Sequence, residues 1–114
     1  MKVTQSALLS PDQAAEAKKL GAALARLRIA RGMKQDQTAL RAGLSRNTAY
    51  RLEKGDPGIA MGQILRYLDA IVPGKTLLEL LSETDPALAA LSAKERRHRA
   101  RGELSKRELD EIDF

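Results

Sequence analysis

Apolar residues recur at helical spacing along most of the chain. In the first such stretch Leu20, Leu24 and Leu27 share one stripe while Lys18, Arg26 and Arg28 point elsewhere, the pattern of a helix packed on one side. Ser10-Pro11-Asp12-Gln13 supplies its start: an N-cap, a proline at the first helical position and a glutamine spaced for a capping box. This helix is predicted from Pro11 to Gly32, and Gly21 is where it could bend.

Two shorter patterns follow and meet at a glycine. The first opens at Lys34 and Gln35 and closes at Ala42, before Gly43, a residue free to take positive φ at a helix end. Leu44 fills the corner. Ser45 is suited to cap the second helix, whose inner face is Ala49 and Leu52, leaving Arg46, Asn47, Tyr50 and Arg51 outward. A small residue, Ala39, stands where two helices must cross. This is the layout of a helix-turn-helix, in which the first helix crosses the phosphates and the second lies in the major groove.

Downstream, a helix is predicted from about Ala60 to Ala70, burying Ile64, Leu65 and Leu68, with Pro73-Gly74 ending it. The next, Thr76 to Ser82, carries Leu77, Leu78, Leu80 and Leu81, too many leucines for one narrow stripe on two turns. Such a helix must be covered either by its own domain or by a partner chain, so these four leucines are the candidate dimer interface. After Asp85-Pro86 a sixth helix could run from Ala87 to Arg101 with Leu88 and Leu91 inward. Its basic run, residues 94–101, reads as a solvated helix end, a disordered tail or an arm that touches phosphate. Ser105-Lys106-Arg107-Glu108 is a capping box before Leu109, Ile112 and Phe114, a peptide that docks on its own domain or on another protein. The fold class expected is all-α, a five-helix repressor-like domain with an extra C-terminal helical or partly disordered tail. Its parts are an N-terminal arm at 1–10, the domain at 11–84 with its motif at 34–54, and a charged extension at 85–114.

Composition narrows the classes. With 114 residues there is room for one domain with a modest core, and the few rings, Tyr50, Tyr67 and Phe114, leave that core to Leu, Ile and Ala. The absence of cysteine rules out a disulfide framework and thiolate metal ligands. No apolar run approaches the roughly 20 residues of a membrane span and no signal-peptide pattern opens the chain, so a soluble, cytoplasmic protein is expected. The net charge of +5 is unevenly spread. Residues 18–54 hold ten Lys or Arg against two acids, residues 55–93 two against five, residues 94–107 seven against two, and residues 108–114 four acids alone. The positive excess therefore sits on the motif, as a duplex binder requires.

From Leu20 to Ile71 the chain resembles the helix-turn-helix regulators related to the lambdoid phage repressors and Cro, the XRE-type class. The resemblance rests on Leu27-Arg28, Arg31-Gly32-Met33, Gln35, Ala39, Ala42-Gly43-Leu44-Ser45-Arg46, Thr48, Arg51-Leu52-Glu53-Lys54-Gly55 and Ile64-Leu65-Arg66 to Asp69-Ala70. Four features depart from that class: Lys34 replaces a capping Thr, Thr38 replaces a core Leu, Leu40 and Arg41 stand in the order opposite to the common one, and Ile59-Ala60 replaces a Pro-Ser helix entry. The resemblance implies that Arg46, Asn47 and Arg51, with Tyr50 beside them, read base edges. Arginine can pair with guanine O6 and N7, and asparagine with adenine N6 and N7. Gln35 is placed for a phosphate or for bracing Arg46. Arg28, Lys34, Ser45, Thr48 and Lys54 are candidates for backbone contacts that position without reading sequence. Glu53 reads as structural. The resemblance also implies a homodimer on a palindromic double-stranded operator with half-sites about 34 Å apart.

Catalysis is not expected. The sole histidine, His98, lies in a basic run, and neither a nucleophile beside a base nor a glycine-rich phosphate loop is present. No metal and no cofactor are implied. The leading expectation is a sequence-specific transcriptional regulator, acting as a repressor. The alternative is an antitoxin that autoregulates its operon and grips a toxin through residues 85–114, and a third is an interaction module that kept the fold without DNA.

Overall fold

A computed structural model describes residues 4–82 and 86–112, with side chains to Gly102. The described elements are all helical: α1 (Gln5–Leu8), α2 (Pro11–Ala30), α3 (Gln35–Ala42), α4 (Arg46–Glu53), α5 (Met61–Ile71), α6 (Leu77–Leu81) and α7 (Pro86–Ile112). The five helices α2 to α6 form the expected domain, and α1 is a single turn within the N-terminal arm.

Local signals set most helix starts. Ser10 Oγ accepts the Gln13 N–H at 3.1 Å while the Ser10 N–H donates to Gln13 Oε1 at 3.0 Å, closing the capping box foreseen for α2. α3 and α5 use half of that device. Lys34 and Ala60 offer no side-chain acceptor, yet Gln37 and Gln63, three residues on, accept their backbone N–H groups at 3.3 and 3.1 Å. The missing Thr and the missing Pro-Ser are thus offset by a glutamine at the same offset in each helix. Thr76 caps α6 by accepting the Glu79 N–H.

Helix ends follow glycine. α2 stops at Ala30, two residues before Gly32, and Gly43 ends α3 with φ 69° and ψ 32°, in the left-handed region where a side chain is strained.

The core gathers Leu24 and Leu27 of α2, Ala39 and Ala42 of α3, Ala49 and Leu52 of α4, Tyr67, Leu68, Ala70 and Ile71 of α5, Leu80 of α6 and Leu88 of α7. Ala39 and Ala49 are nearly inaccessible, which lets α3 and α4 cross closely. Thr38, where a leucine was the norm, is fully buried, and its hydroxyl donates to Lys34 O at 2.9 Å, so the substituted position carries no unmet polar group.

Gly21, where a bend was foreseen, is the point where α2 meets the end of α4. A Cβ there would lie 2.6 Å from both Gly55 N and Leu52 O, and a Cβ on Gly55 would lie 2.6 Å from Ala17 O. Two glycines facing each other allow this backbone-to-backbone approach, which no larger residue fits.

Two expectations about apolar residues and one about a helix end also change. Leu65 is exposed, because Tyr67, Ala70 and Ile71 take the inner face of α5 beside Leu68. Leu80 is buried in the domain's own core and Leu77 packs against it, so of the four α6 leucines only Leu78 and Leu81 remain outside. The sixth helix does not stop at Arg101 but runs unbroken to Ile112, through the capping box read as a separate start at Ser105. The side chains of Leu109, Ile112 and Phe114 and the proposed cap at Asp85 lie outside the described residues.

α7 is tied to the domain by more than Leu88. Arg26, expected to point away, forks onto it, donating to Ser92 Oγ at 3.2 Å and to both carboxylate oxygens of Glu95, one at 3.2 Å. The Arg26 guanidinium holds the Glu95 carboxyl below its ordinary range.

Candidate nucleic-acid interface

α4 begins at Ser45, whose Oγ accepts the Thr48 N–H at 3.0 Å and lies 2.8 Å from the Thr48 hydroxyl. Its sequence RNTAYRLE puts Ala49 and Leu52 against the core, which leaves positions 46, 47, 50, 51 and 54 turned out at 100° per residue. Arg46, Asn47, Tyr50 and Lys54 are exposed, and Arg51 is half-buried. Among the described residues the ion pair of Arg46 is a weak one, to Asp36 on α3, at 3.9 Å with the arginine side chain 85% accessible. Such an exposed, loose pair holds little energy and leaves the guanidinium free for other acceptors. Lys54 Nζ stands 5.5 Å from the centre of the Tyr50 ring, a cation–π contact that closes the far end of the face.

Arg51 has a partner that helical spacing does not reveal. Its Nε donates to Asp56 Oδ2 at 2.7 Å, five residues on, while Asp56 Oδ1 accepts the Gly58 N–H at 2.8 Å. Arg51, joined by the Gly58 N–H, holds the Asp56 carboxyl below its usual range. The pair fixes the guanidinium plane through Nε and leaves its two terminal nitrogens outside that bond. The pairing lies outside the three- and four-residue spacings of a helix, because α4 ends at Glu53 and the loop swings Asp56 back.

Beneath this face lies a polar network that sequence reading did not assemble. The Glu53 side chain is only 7% accessible and receives four donors. Arg28 gives Nε at 2.7 Å and Nη2 at 3.0 Å, Gln35 gives Nε2 at 3.0 Å, and the Tyr67 hydroxyl donates to Oε2. Arg28 Nη1 donates to Met33 O at 2.8 Å. The acid thereby joins α2, α3, α4 and α5. Hydrogen bonding to Glu53 raises Arg28 above its ordinary value, and burial, aided by Glu53, raises the Tyr67 phenol.

This network takes in two of the residues expected at the DNA backbone, Arg28 and Gln35. Arg28 spends its donors inside the protein, and Gln35 braces Glu53 rather than Arg46. Glu53 is structural as expected, but through partners distant in sequence rather than local ones. Lys34 is exposed at the start of α3, beside Gln35. Tyr67 was missed, and its signal was legible: a lone aromatic ring on the inner face of an aliphatic helix brings a hydroxyl that needs a buried partner.

The structure therefore brings Arg46, Asn47, Tyr50, Arg51 and Lys54 onto one outward face, with Ser45 and Thr48 bonded to each other at its start. Leu77 and Leu80 belong to the core instead. Among the described residues no helix is long and apolar enough to cross a membrane.

No curated protein and no solved structure matched the chain. One family model does, described as a helix-turn-helix domain, over residues 19–81. That span runs from the middle of α2 to the end of α6 and takes in every residue of the outward face. Covering more than half of the 114 residues, it shows that the chain belongs to the helix-turn-helix domain family, a DNA-binding fold.

Proposed function

We propose that the protein is a sequence-specific transcriptional regulator that places α4 in the major groove of double-stranded DNA and acts as a repressor by occluding a promoter. One observation carries this reading: Arg46 and Asn47, side chains able to pair with guanine and adenine edges, stand exposed on the first turn of a helix whose opposite face is buried. Arg51, steadied by Asp56, and Tyr50 extend the same face. Lys34 and Lys54 flank it as phosphate contacts. The reading assigns the chain no catalytic step and no cofactor.

The protein binds as a homodimer on a palindrome, because one eight-residue helix reads too few base pairs to select a site among many. Exposed Leu78 and Leu81 support α6 as the contact. Leu81 borders an apolar groove shared with Leu9, Leu20 and Ala23, the kind of surface a second copy covers. The antitoxin alternative assigns residues 85–114 to a toxin, whereas Leu88 and Glu95 are already engaged by the chain's own domain.

Selection of random duplexes by the purified full chain tests the proposal. A palindromic sequence should be enriched, and Asn47→Ala should relax its preference at one base pair in each half-site. Recovery of duplexes with no common sequence would overturn the proposal.

A further inference from the structure

Residues 94–101 of α7 carry five Lys or Arg, with Glu95 the single carboxylate among them. Glu95 is held by Arg26, and although it lies near Arg99, no carboxylate among the described residues pairs with Arg96, Arg97 or Arg101. Among the described residues the charge is exposed and without an acidic partner beyond Glu95, yet it is not on a loose tail. Leu88 sits in the core and the Arg26 fork grips Ser92 and Glu95, so the basic stretch begins from a fixed point.

α7 meets α2 where Ser92 and Glu95 accept from Arg26, about one turn before α2 ends at Ala30 and leads through Met33 into Lys34 and Gln35. The basic stretch is therefore anchored, at Glu95, close to the end of α2 that opens the helix-turn-helix.

The chemistry favours nucleic acid over a protein partner. At 100° per residue Arg96, Arg97, Arg99 and Arg101 radiate around the helix instead of forming one face. No large apolar side chain of α7 is exposed among the described residues, whereas protein interfaces have apolar cores depleted of charge. Phosphate backbones require only accessible positive charge.

We infer that residues 94–101 of α7 form a second, sequence-independent contact with the DNA backbone, outside the helix-turn-helix, that adds affinity without adding sequence preference. This rests on the DNA-binding reading above. The full chain and the variant Arg96→Gln/Arg97→Gln/Arg99→Gln/Arg101→Gln are titrated by fluorescence anisotropy against a selected duplex and a random duplex of equal length, across a potassium chloride series. The variant should bind both duplexes at least about tenfold more weakly at low salt, with a log–log salt slope shallower by about two to four. The ratio between duplexes should stay unchanged, and the corresponding four Arg→Lys changes should restore the slope.

If the quadruple variant loses its thermal transition, the two half-variants, 96/97 and 99/101, decide in its place, each with a slope shallower by about one to two. Wild-type binding with an unchanged slope in the variants overturns this inference alone, as it would if the basic helix served an acidic protein. Failure of the wild-type chain to bind either duplex overturns this inference and the proposed function together.

Discussion

The two sides of α4 use the same kinds of residue to opposite ends. On the inner side Glu53, Arg28, Gln35 and Tyr67 satisfy one another, and Gly21 and Gly55 bring two backbones together. On the outer side Arg46 and Asn47 have almost nothing to bond within the chain. A positive charge near a recognition helix is therefore not by itself a DNA contact. Burial and partner decide, and Arg28 and Arg46 fall on opposite sides of that line.

The sharpest way to break the inner side is Gly21→Ala. The new methyl would meet Gly55 N and Leu52 O at 2.6 Å, both backbone atoms that cannot rotate away. A loss of about 3 kcal/mol or more is expected in urea unfolding. A loss under about 1 kcal/mol would show that the helices separate freely.

Next comes Glu53→Ala, which strands the Arg28 guanidinium and the Tyr67 hydroxyl and should cost about 3 kcal/mol. Adding Arg28→Met should recover part of that loss, because the uncompensated buried charge disappears with it. If the two substitutions are simply additive, the network is not a unit.

On the outer side the pattern should reverse. Arg46→Ala or Asn47→Ala should leave the unfolding midpoint almost unchanged while weakening binding to the selected duplex by about 1 to 3 kcal/mol. A drop in stability without one in binding would place these residues on the inner side of the comparison.

The smallest effect concerns Tyr67. Burial and Glu53 hold its phenol above the ordinary value of 10.0, so the unfolded chain releases the proton first as pH rises. The stability this group contributes is complete below about pH 10 and lost above it. Tyr67→Phe should unfold with a shallower alkaline decline than wild type, in melts followed from pH 8 to 11. Parallel declines would count against a shifted Tyr67.

Much of the fold was legible because its signals are local. Ser10-Pro11, Gly43 and Ser45 each act within one helical turn, and the helix-turn-helix could be located from them with the spacing of Ala39, Ala49 and Leu52. Of the candidate interface, Arg46, Asn47 and Tyr50 were legible because a helix with a known inner face has a known outer one. Partners across elements were not. The Arg28–Glu53 pair spans 25 residues and the Arg26–Glu95 pair 69, and no periodicity reports such separations. Leu65 was misplaced because its α5 stripe admits two orientations until Tyr67 is seen to turn inward.

The amino-acid order alone settled where α2, α3 and α4 begin, that Gly43 ends α3 and which residues α4 turns outward, since caps, glycines and a 3.6-residue repeat act over one or two turns. Only the packed structure decided which charges are spent internally, that Gly21 lies against the end of α4, and that Leu80 belongs to the core. Those outcomes depend on distances between segments far apart in the chain, which are set when the hydrophobic faces close on one another.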